Sequence, residues 1–162
     1  MIELTHPPIV KSLYWSDESA TQQFAARLAE QVPLRQAFIE LRGDLGAGKT
    51  TLVRHLLRAL GVDGRIKSPT YAVVEPYELD SFNVWHFDFY RFQDPREAAD
   101  AGFRDIFASP GLKLVEWAER AAGSLPSADL VIEIETLDDE SRQVRLRAQT
   151  PAGVALLQGR AP

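Results

Sequence analysis

The feature that most constrains this chain is the segment at residues 43–50, GDLGAGKT, which matches the phosphate-binding pattern G-x-x-x-x-G-K-[ST]. The glycines let the backbone fold back, so that several N–H groups converge on one phosphate group. Lys49 supplies a cation for the terminal phosphates, and Thr50 supplies a hydroxyl for a magnesium ion. The pattern therefore predicts a site for ATP or GTP with Mg²⁺, formed by Asp44, Leu45, Gly46, Ala47, Gly48, Lys49, Thr50 and Thr51.

The residues around this loop supply the structural context that the pattern requires. The apolar run from Ala37 to Leu41 is typical of a buried strand, and residues 51–60 carry leucines and a valine at helical spacing before Gly61. Strand, loop and helix thus follow in the order of a phosphate-binding unit. The alternative, a glycine-rich turn that matches by chance, does not account for this order.

The composition is that of one soluble domain covering residues 1–162, with 45% hydrophobic and 25% charged residues. The chain has no cysteine and no apolar stretch of membrane-spanning length, so we expect a cytoplasmic protein without disulfides or thiolate metal sites.

The net charge of −5 disfavours unaided binding to nucleic acid. A local basic patch at Arg142, Arg145 and Arg147 is the alternative. Because Arg145 and Arg147 alternate with apolar residues, we favour the solvated face of an edge strand for them.

The order of the predicted elements indicates an α/β, P-loop NTPase-like single domain. We expect a mostly parallel central sheet flanked by helices, with an antiparallel C-terminal extension formed by strands at residues 129–136 and 141–150. Residues 1–15 are predicted to be irregular, and residues 154–157 are predicted to add a further strand.

Two carboxylates follow apolar strands, where the ligands of open α/β sheets bind. Asp88 ends the aromatic segment that begins at residue 83, and Glu116 ends the next strand. Either acid could hold magnesium or orient water. The structural alternatives are ion pairs, of Asp88 with Arg91 and of Glu116 with Lys113 or Arg120. His86 shares a strand face with Asp88, and the pattern favours a core histidine.

The segment Ser68-Pro69-Thr70-Tyr71 offers hydroxyl groups of the kind that switch loops direct at magnesium or a terminal phosphate. Taken alone, it is also typical of an ordinary proline turn.

Four segments together carry a resemblance to a known family: GDLGAGKTT at 43–51, KSPTY at 67–71, HFDFYR at 86–91 and LVEW at 114–117. In this order they closely resemble the TsaE (YjeE) family of small bacterial ATPases of tRNA threonylcarbamoyladenosine biosynthesis. The resemblance spans about residues 17–157. It implies magnesium-site roles for Thr50 and Glu116, catalytic roles for Lys49, Asp88 and Glu116, a switch-like loop at Ser68 to Tyr71, and a place near the nucleotide for Trp117.

The same resemblance implies that the chain hydrolyses ATP, weakly when alone, beside the partner proteins TsaD and TsaB. These partners transfer a threonylcarbamoyl group to the adenosine next to the anticodon of ANN-decoding tRNAs, and ATP hydrolysis resets the complex. Contact with tRNA is then indirect. The family often has proline after the tryptophan, whereas this chain has Ala118, which affects the expected local turn.

Two other functions share the phosphate loop. A small metabolite kinase is the first, and it requires an acceptor pocket and an arginine-bearing lid; Arg91, Arg96 and Arg104 are its candidates. A nucleotide-dependent binding module without useful turnover is the second. The family segments, rather than the loop, favour the ATPase.

Overall fold

The computed structural model describes residues 9–69 and 71–159, and within these ranges seven strands form one sheet. The strands are β1 (Ile9–Trp15), β2 (Phe38–Arg42), β3 (Val74–Glu78), β4 (Asn83–Asp88), β5 (Leu112–Glu116), β6 (Leu130–Thr136) and β7 (Arg142–Ala148). The helices are α1 (Glu18–Ala29), α2 (Lys49–Ala59), α3 (Arg96–Asp100), α4 (Arg104–Ala108) and α5 (Pro151–Leu157), with 3₁₀ turns at Val32–Gln36 and Ala118–Ala121.

The strand order across the sheet is β1-β7-β6-β2-β5-β4-β3. The four central strands β6, β2, β5 and β4 run parallel, and β7 and β1 extend the sheet antiparallel at one end. The predicted fold class, a parallel α/β core with an antiparallel C-terminal extension, is confirmed. At the other end, β3 adds a further antiparallel strand as the first half of a hairpin with β4.

Side-chain alternation along the strands divides the core between the two faces of the sheet. One face packs against α1 and α2 through residues such as Ile39, Leu114 and Leu56. The other face carries an aromatic cluster in which the Phe87 and Phe107 rings stack with centroids 4.9 Å apart. No helix in the described ranges is long and apolar enough to cross a membrane.

The parallel order brings three candidate site segments together at the carboxyl ends of the central strands. The phosphate loop leaves the carboxyl end of β2, while Asp88 and Glu116 end the neighbouring strands β4 and β5 as cross-strand partners. Ligands of open α/β sheets bind at these carboxyl ends.

Three sequence predictions are wrong at the ends of the chain. Residues 9–15 form β1 rather than irregular structure, because β7 offers a full ladder of backbone partners; the prediction for residues 1–8 lies outside the described residues. Residues 154–157 belong to helix α5 rather than to a strand, because Thr150 caps the helix through Gly153 N–H and Pro151 starts it. Arg145 and Arg147 lie on β7, which is an inner strand, and β1 forms the edge.

Candidate nucleotide site

The phosphate loop depends on three glycines whose backbone lies in the left-handed region. Gly46 and Gly48 have φ angles of 82° and 108°. Gly43 has a φ angle of 151°, and a Cβ atom there would lie 2.5 Å from the carbonyl oxygen of Ile134 on β6. A side chain at position 43 would therefore displace the loop from the sheet, whereas glycine allows close backbone approach.

The predicted loop residues divide between an exposed tip and a buried base. Asp44, Leu45 and Gly46 are exposed, and the Asp44 carbonyl accepts a hydrogen bond from Ala47 N–H at 3.0 Å. Ala47 is buried, and α2 begins at Lys49 directly behind Gly48. The start of α2 thus directs backbone N–H groups and the positive end of the helix dipole toward the loop.

Lys49 is buried, with 5% of its surface exposed, and its ammonium donates a hydrogen bond to the Gly43 carbonyl. The ammonium also lies 4.0 Å from the centroid of the Trp117 ring. Among the described residues it forms no ion pair. Burial lowers the pKa of Lys49, while the negative charges of Glu116, Glu119 and Asp88 oppose that shift. This cation is held by dipoles and an aromatic face, so its charge is not neutralised by a bound carboxylate.

Thr50 and Glu116 meet at the base of the loop. The Thr50 hydroxyl lies 3.1 Å from Glu116 Oε1 and 3.3 Å from Oε2. Glu116 is almost fully buried, and its Oε2 lies 2.6 Å from Nε2 of His86. The expected alternatives for Glu116 do not form, since Lys113 donates to the Ser109 carbonyl and Arg120 to the carbonyls of Tyr90 and Phe92.

Asp88 lies beside this group at the end of β4. Its Oδ1 accepts a hydrogen bond from Tyr90 N–H at 2.9 Å, and among the described residues it has no ion pair with Arg91. Burial raises the pKa of Asp88, the Tyr90 N–H bond lowers it, and the nearby charge of Glu116 raises it further. Asp88 is therefore a half-buried carboxylate that a cation would stabilise.

Trp117 reaches the site because its backbone turns sharply after β5. The residue has φ 58° and ψ 41°, a left-handed conformation that is uncommon for a side chain of this size. The turn places the indole ring against Lys49 and 4.9 Å from the ring of Tyr90.

The predicted switch-like loop is connected to Asp88 through Val73, and its Thr70 lies outside the described residues. Ser68 is exposed, Pro69 is buried and Tyr71 is 83% exposed beneath the guanidinium of Arg91 at 4.1 Å. The Pro69 carbonyl accepts from Val73 N–H at 2.6 Å, and the Val73 carbonyl accepts from Asp88 N–H at 2.9 Å. The loop is thereby connected through backbone bonds to a candidate catalytic acid.

Sequence reasoning missed Arg142 as a residue of this site. Its Nε donates to the Ala47 carbonyl at 2.8 Å, from a position 95 residues further along the chain. Beside this contact lies a cavity of about 90 Å³, lined by Trp15, Asp17, Glu18, Thr21, Ala47, Gly48, Thr51, Glu140 and Arg142. The sequence signal was only a basic series in the C-terminal strands, which did not indicate where those side chains point.

The oxygen groups at the loop fit a magnesium ion that is completed by substrate. Thr50 and Glu116 present a hydroxyl and a carboxylate to one another, and Asp88 is the cross-strand neighbour of Glu116. Within the described ranges, no group of three or more His, Asp or Glu side chains forms a metal cage. Magnesium in nucleotide sites is commonly held by one or two protein groups together with phosphates and water, which suits this sparse set.

Comparison with known proteins shows what this chain is similar to. Residues 15–144 match the family model described as "Threonylcarbamoyl adenosine biosynthesis protein TsaE". Two curated proteins named "tRNA threonylcarbamoyladenosine biosynthesis protein TsaE" are similar along most of their length. The protein from Haemophilus influenzae is 41% identical, with 86% of this chain and 90% of the relative covered. The protein from Bacillus subtilis is 32% identical, with coverage of 86% and 87%. The crystal structure of Bacillus YdiB superposes with a TM-score of 0.77 at 26% identity and covers 95% of each chain.

Proposed function

This chain belongs to the TsaE family of threonylcarbamoyl adenosine biosynthesis proteins, and we propose that it is a cytoplasmic ATPase that binds and hydrolyses Mg-ATP in that pathway. The family membership supports the pathway, and the residues of the site support the reaction. The observation that carries the reaction is the contact between Thr50 and Glu116 directly behind a phosphate loop with a buried Lys49.

Each site residue has a defined task in this proposal. Backbone N–H groups of residues 44–51 and the ammonium of Lys49 bind the phosphates, and Trp117 holds that ammonium near the loop. Thr50 and Glu116 hold magnesium, directly or through water. When bound, the ion neutralises negative charge that develops on the phosphate oxygens. Asp88, with its raised pKa, accepts a hydrogen bond from the attacking water and orients it.

We further propose that TsaD and TsaB complete this site. Three arginines near the loop are already engaged: Arg91 lies over Tyr71, Arg120 donates to backbone carbonyls, and Arg142 donates to Ala47. Because each of these three side chains already has a partner, we assign none of them the role of an arginine finger, which stabilises the transferring phosphate. Hydrolysis is then slow in the isolated chain and faster in the complex. The net charge of −5 suits a subunit that contacts tRNA only through its partners.

Reconstitution of tRNA modification tests the proposal. TsaD and TsaB of the same organism would be combined with ATP, a threonylcarbamoyl donor and an ANN-decoding tRNA, and the modified nucleoside would be counted per transferase complex. We expect repeated turnover of the transferase complex only when this chain is present. The Lys49→Ala variant, added in place of the wild-type chain, should not support repeated turnover. Equal modification without the chain would contradict the proposal.

A parallel assay separates hydrolysis from transfer to a metabolite. Phosphate release would be measured with and without small-molecule acceptors. A kinase would transfer phosphate to an acceptor and release little inorganic phosphate. Our proposal predicts that the amount of inorganic phosphate released does not fall when an acceptor is added. Arg96, one of the candidates for a kinase lid, pairs with Asp94 at the surface at 2.9 Å, which gives the kinase alternative no support.

A further inference from the structure

The imidazole of His86 makes one strong contact and leaves its other nitrogen without a partner. The side chain is 1% exposed, Nε2 lies 2.6 Å from Glu116 Oε2, and Nδ1 has no hydrogen-bond partner among the described residues. Because a carboxylate oxygen accepts hydrogen bonds, Nε2 is the donor in this contact, and Nδ1 is the nitrogen without a partner. A buried polar atom without a partner costs free energy, so packing alone does not explain a histidine here.

The position of His86 fixes where the Glu116 carboxylate points. On the sheet, Asp88 and Glu116 are direct cross-strand partners, so His86, two residues before the end of β4, reaches Glu116 diagonally. His86 binds Oε2 from the sheet side, while the Thr50 hydroxyl approaches from the phosphate loop and lies nearer to Oε1. The Glu116 carboxylate is therefore contacted by His86 at Oε2 and by Thr50 of the phosphate loop.

We propose that His86 is a positioning residue for magnesium binding: its Nε2–H holds Glu116 in the orientation that serves the ion, an inference that rests on the proposed function. The Thr50 hydroxyl has a single proton, and it lies nearer to Oε1 than to Oε2 of Glu116. His86 is the side-chain donor at the other oxygen, with Nε2 at 2.6 Å from Oε2. Hydrogen-bond partners of metal-site carboxylates commonly determine metal affinity in this way.

Three substitutions on β4 separate anchoring from packing. His86→Leu removes the donor while keeping an apolar volume in the core. His86→Gln restores an N–H group at roughly the distance of Nε2 from the main chain. Val84→Ala is the matched control, because Val84 lies on the same strand face two residues earlier and is fully buried in the hydrophobic core.

The measurement is how the affinity for a non-hydrolysable ATP analogue depends on Mg²⁺. Calorimetric titrations would be run in EDTA and at increasing Mg²⁺ concentrations. For His86→Leu we expect unchanged affinity in EDTA and a half-saturating Mg²⁺ concentration that rises by about tenfold or more. His86→Gln should return it close to wild type, and Val84→Ala should leave it unchanged. If His86→Leu does not fold, His86→Asn carries the same test, because its shorter amide does not reach Glu116.

Several results would overturn the inference. These are a wild-type Mg²⁺ dependence in His86→Leu, an equal loss of affinity in EDTA, a failure of His86→Gln to restore the dependence, or the same shift in Val84→Ala. Failure of the proposed function is recognised separately, because the wild-type chain itself would then show no analogue binding or no effect of Mg²⁺.

Discussion

The ammonium of Lys49 lies 4.0 Å from the centroid of the Trp117 ring, so the phosphate-binding cation rests on an aromatic face. Nucleotide binding should draw this ammonium toward the phosphates and change the environment of the indole. We expect tryptophan emission to change when Mg-ADP is added, and Trp117→Phe to abolish that change. Trp85→Phe is the control, since the Trp85 ring lies 5.5 Å from the ammonium of Lys113, near the opposite end of β5. An emission change that persists in Trp117→Phe would contradict this arrangement.

Lys49→Ala should weaken ATP binding roughly ten- to hundredfold, because a charge-assisted hydrogen bond is worth about 1.5–3 kcal/mol. Lys113→Ala provides a closely matched control. Lys113 is also buried, its pKa is also lowered by burial, and it also donates to a backbone carbonyl, but it lies near the opposite end of β5. Calorimetric titration of both variants should show loss of affinity only for Lys49→Ala. Equal affinities would exclude Lys49 from the phosphate site.

The stability of the nucleotide-free protein should depend on pH through Asp88. Its folded-state pKa is raised above 3.8, chiefly by burial, so the folded protein takes up this proton before the unfolded chain does. The contribution of Asp88 to stability therefore increases as pH falls from neutral through its raised pKa toward 3.8. Asp88→Asn should raise the melting temperature at pH 7 and reduce this pH dependence, as thermal melts at several pH values would detect. A lower melting temperature at pH 7 would indicate that ionised Asp88 stabilises the fold.

Arg142→Ala should weaken nucleotide binding by loosening the phosphate loop, because it removes the 2.8 Å bond from Nε to the Ala47 carbonyl. One such bond from a charged donor corresponds to a loss of roughly tenfold or more in affinity. Arg145→Ala is the control, three positions further along the same strand, where the side chain is exposed. The same affinity titration checks both variants. Equal losses of affinity in the two variants would contradict the assignment of Arg142 to the site.

The fold and the centre of the site follow from local sequence patterns. Helical spacing at residues 51–60 predicted most of α2, and the apolar runs that precede Asp88 and Glu116 predicted two strands whose carboxyl ends meet in the structure. These predictions succeeded because periodicity and strand order are properties of short segments.

Contacts between distant segments were not predictable in the same way. Arg142 reaches Ala47 only because β6 and β7 return to the loop, and strand alternation alone did not reveal whether His86 contacts Glu116 or only packs in the core. The strand β1 was missed because its register comes from β7 rather than from its own pattern. Helix α5 did carry a local signal, Thr150 followed by Pro151, which the short apolar run at 154–157 obscured.

The acids of the site provide the sharpest test of the reaction. Glu116→Gln and Asp88→Asn keep the backbone N–H groups and Lys49, so both variants should still bind ATP. Their rates of hydrolysis should fall by about 10–100-fold or more, because magnesium and the attacking water lose their protein contacts. Asp94→Asn is the control, since Asp94 pairs with Arg96 at the surface.

Release of inorganic phosphate from Mg-ATP, measured for the chain alone and with TsaD and TsaB, tests the central claim most directly. We predict slow release by the wild-type chain, faster release with both partners, and little release by Glu116→Gln in either condition. Wild-type release that is absent in both conditions, or release by Glu116→Gln at the wild-type rate, would contradict the assignment of this site as an ATPase centre.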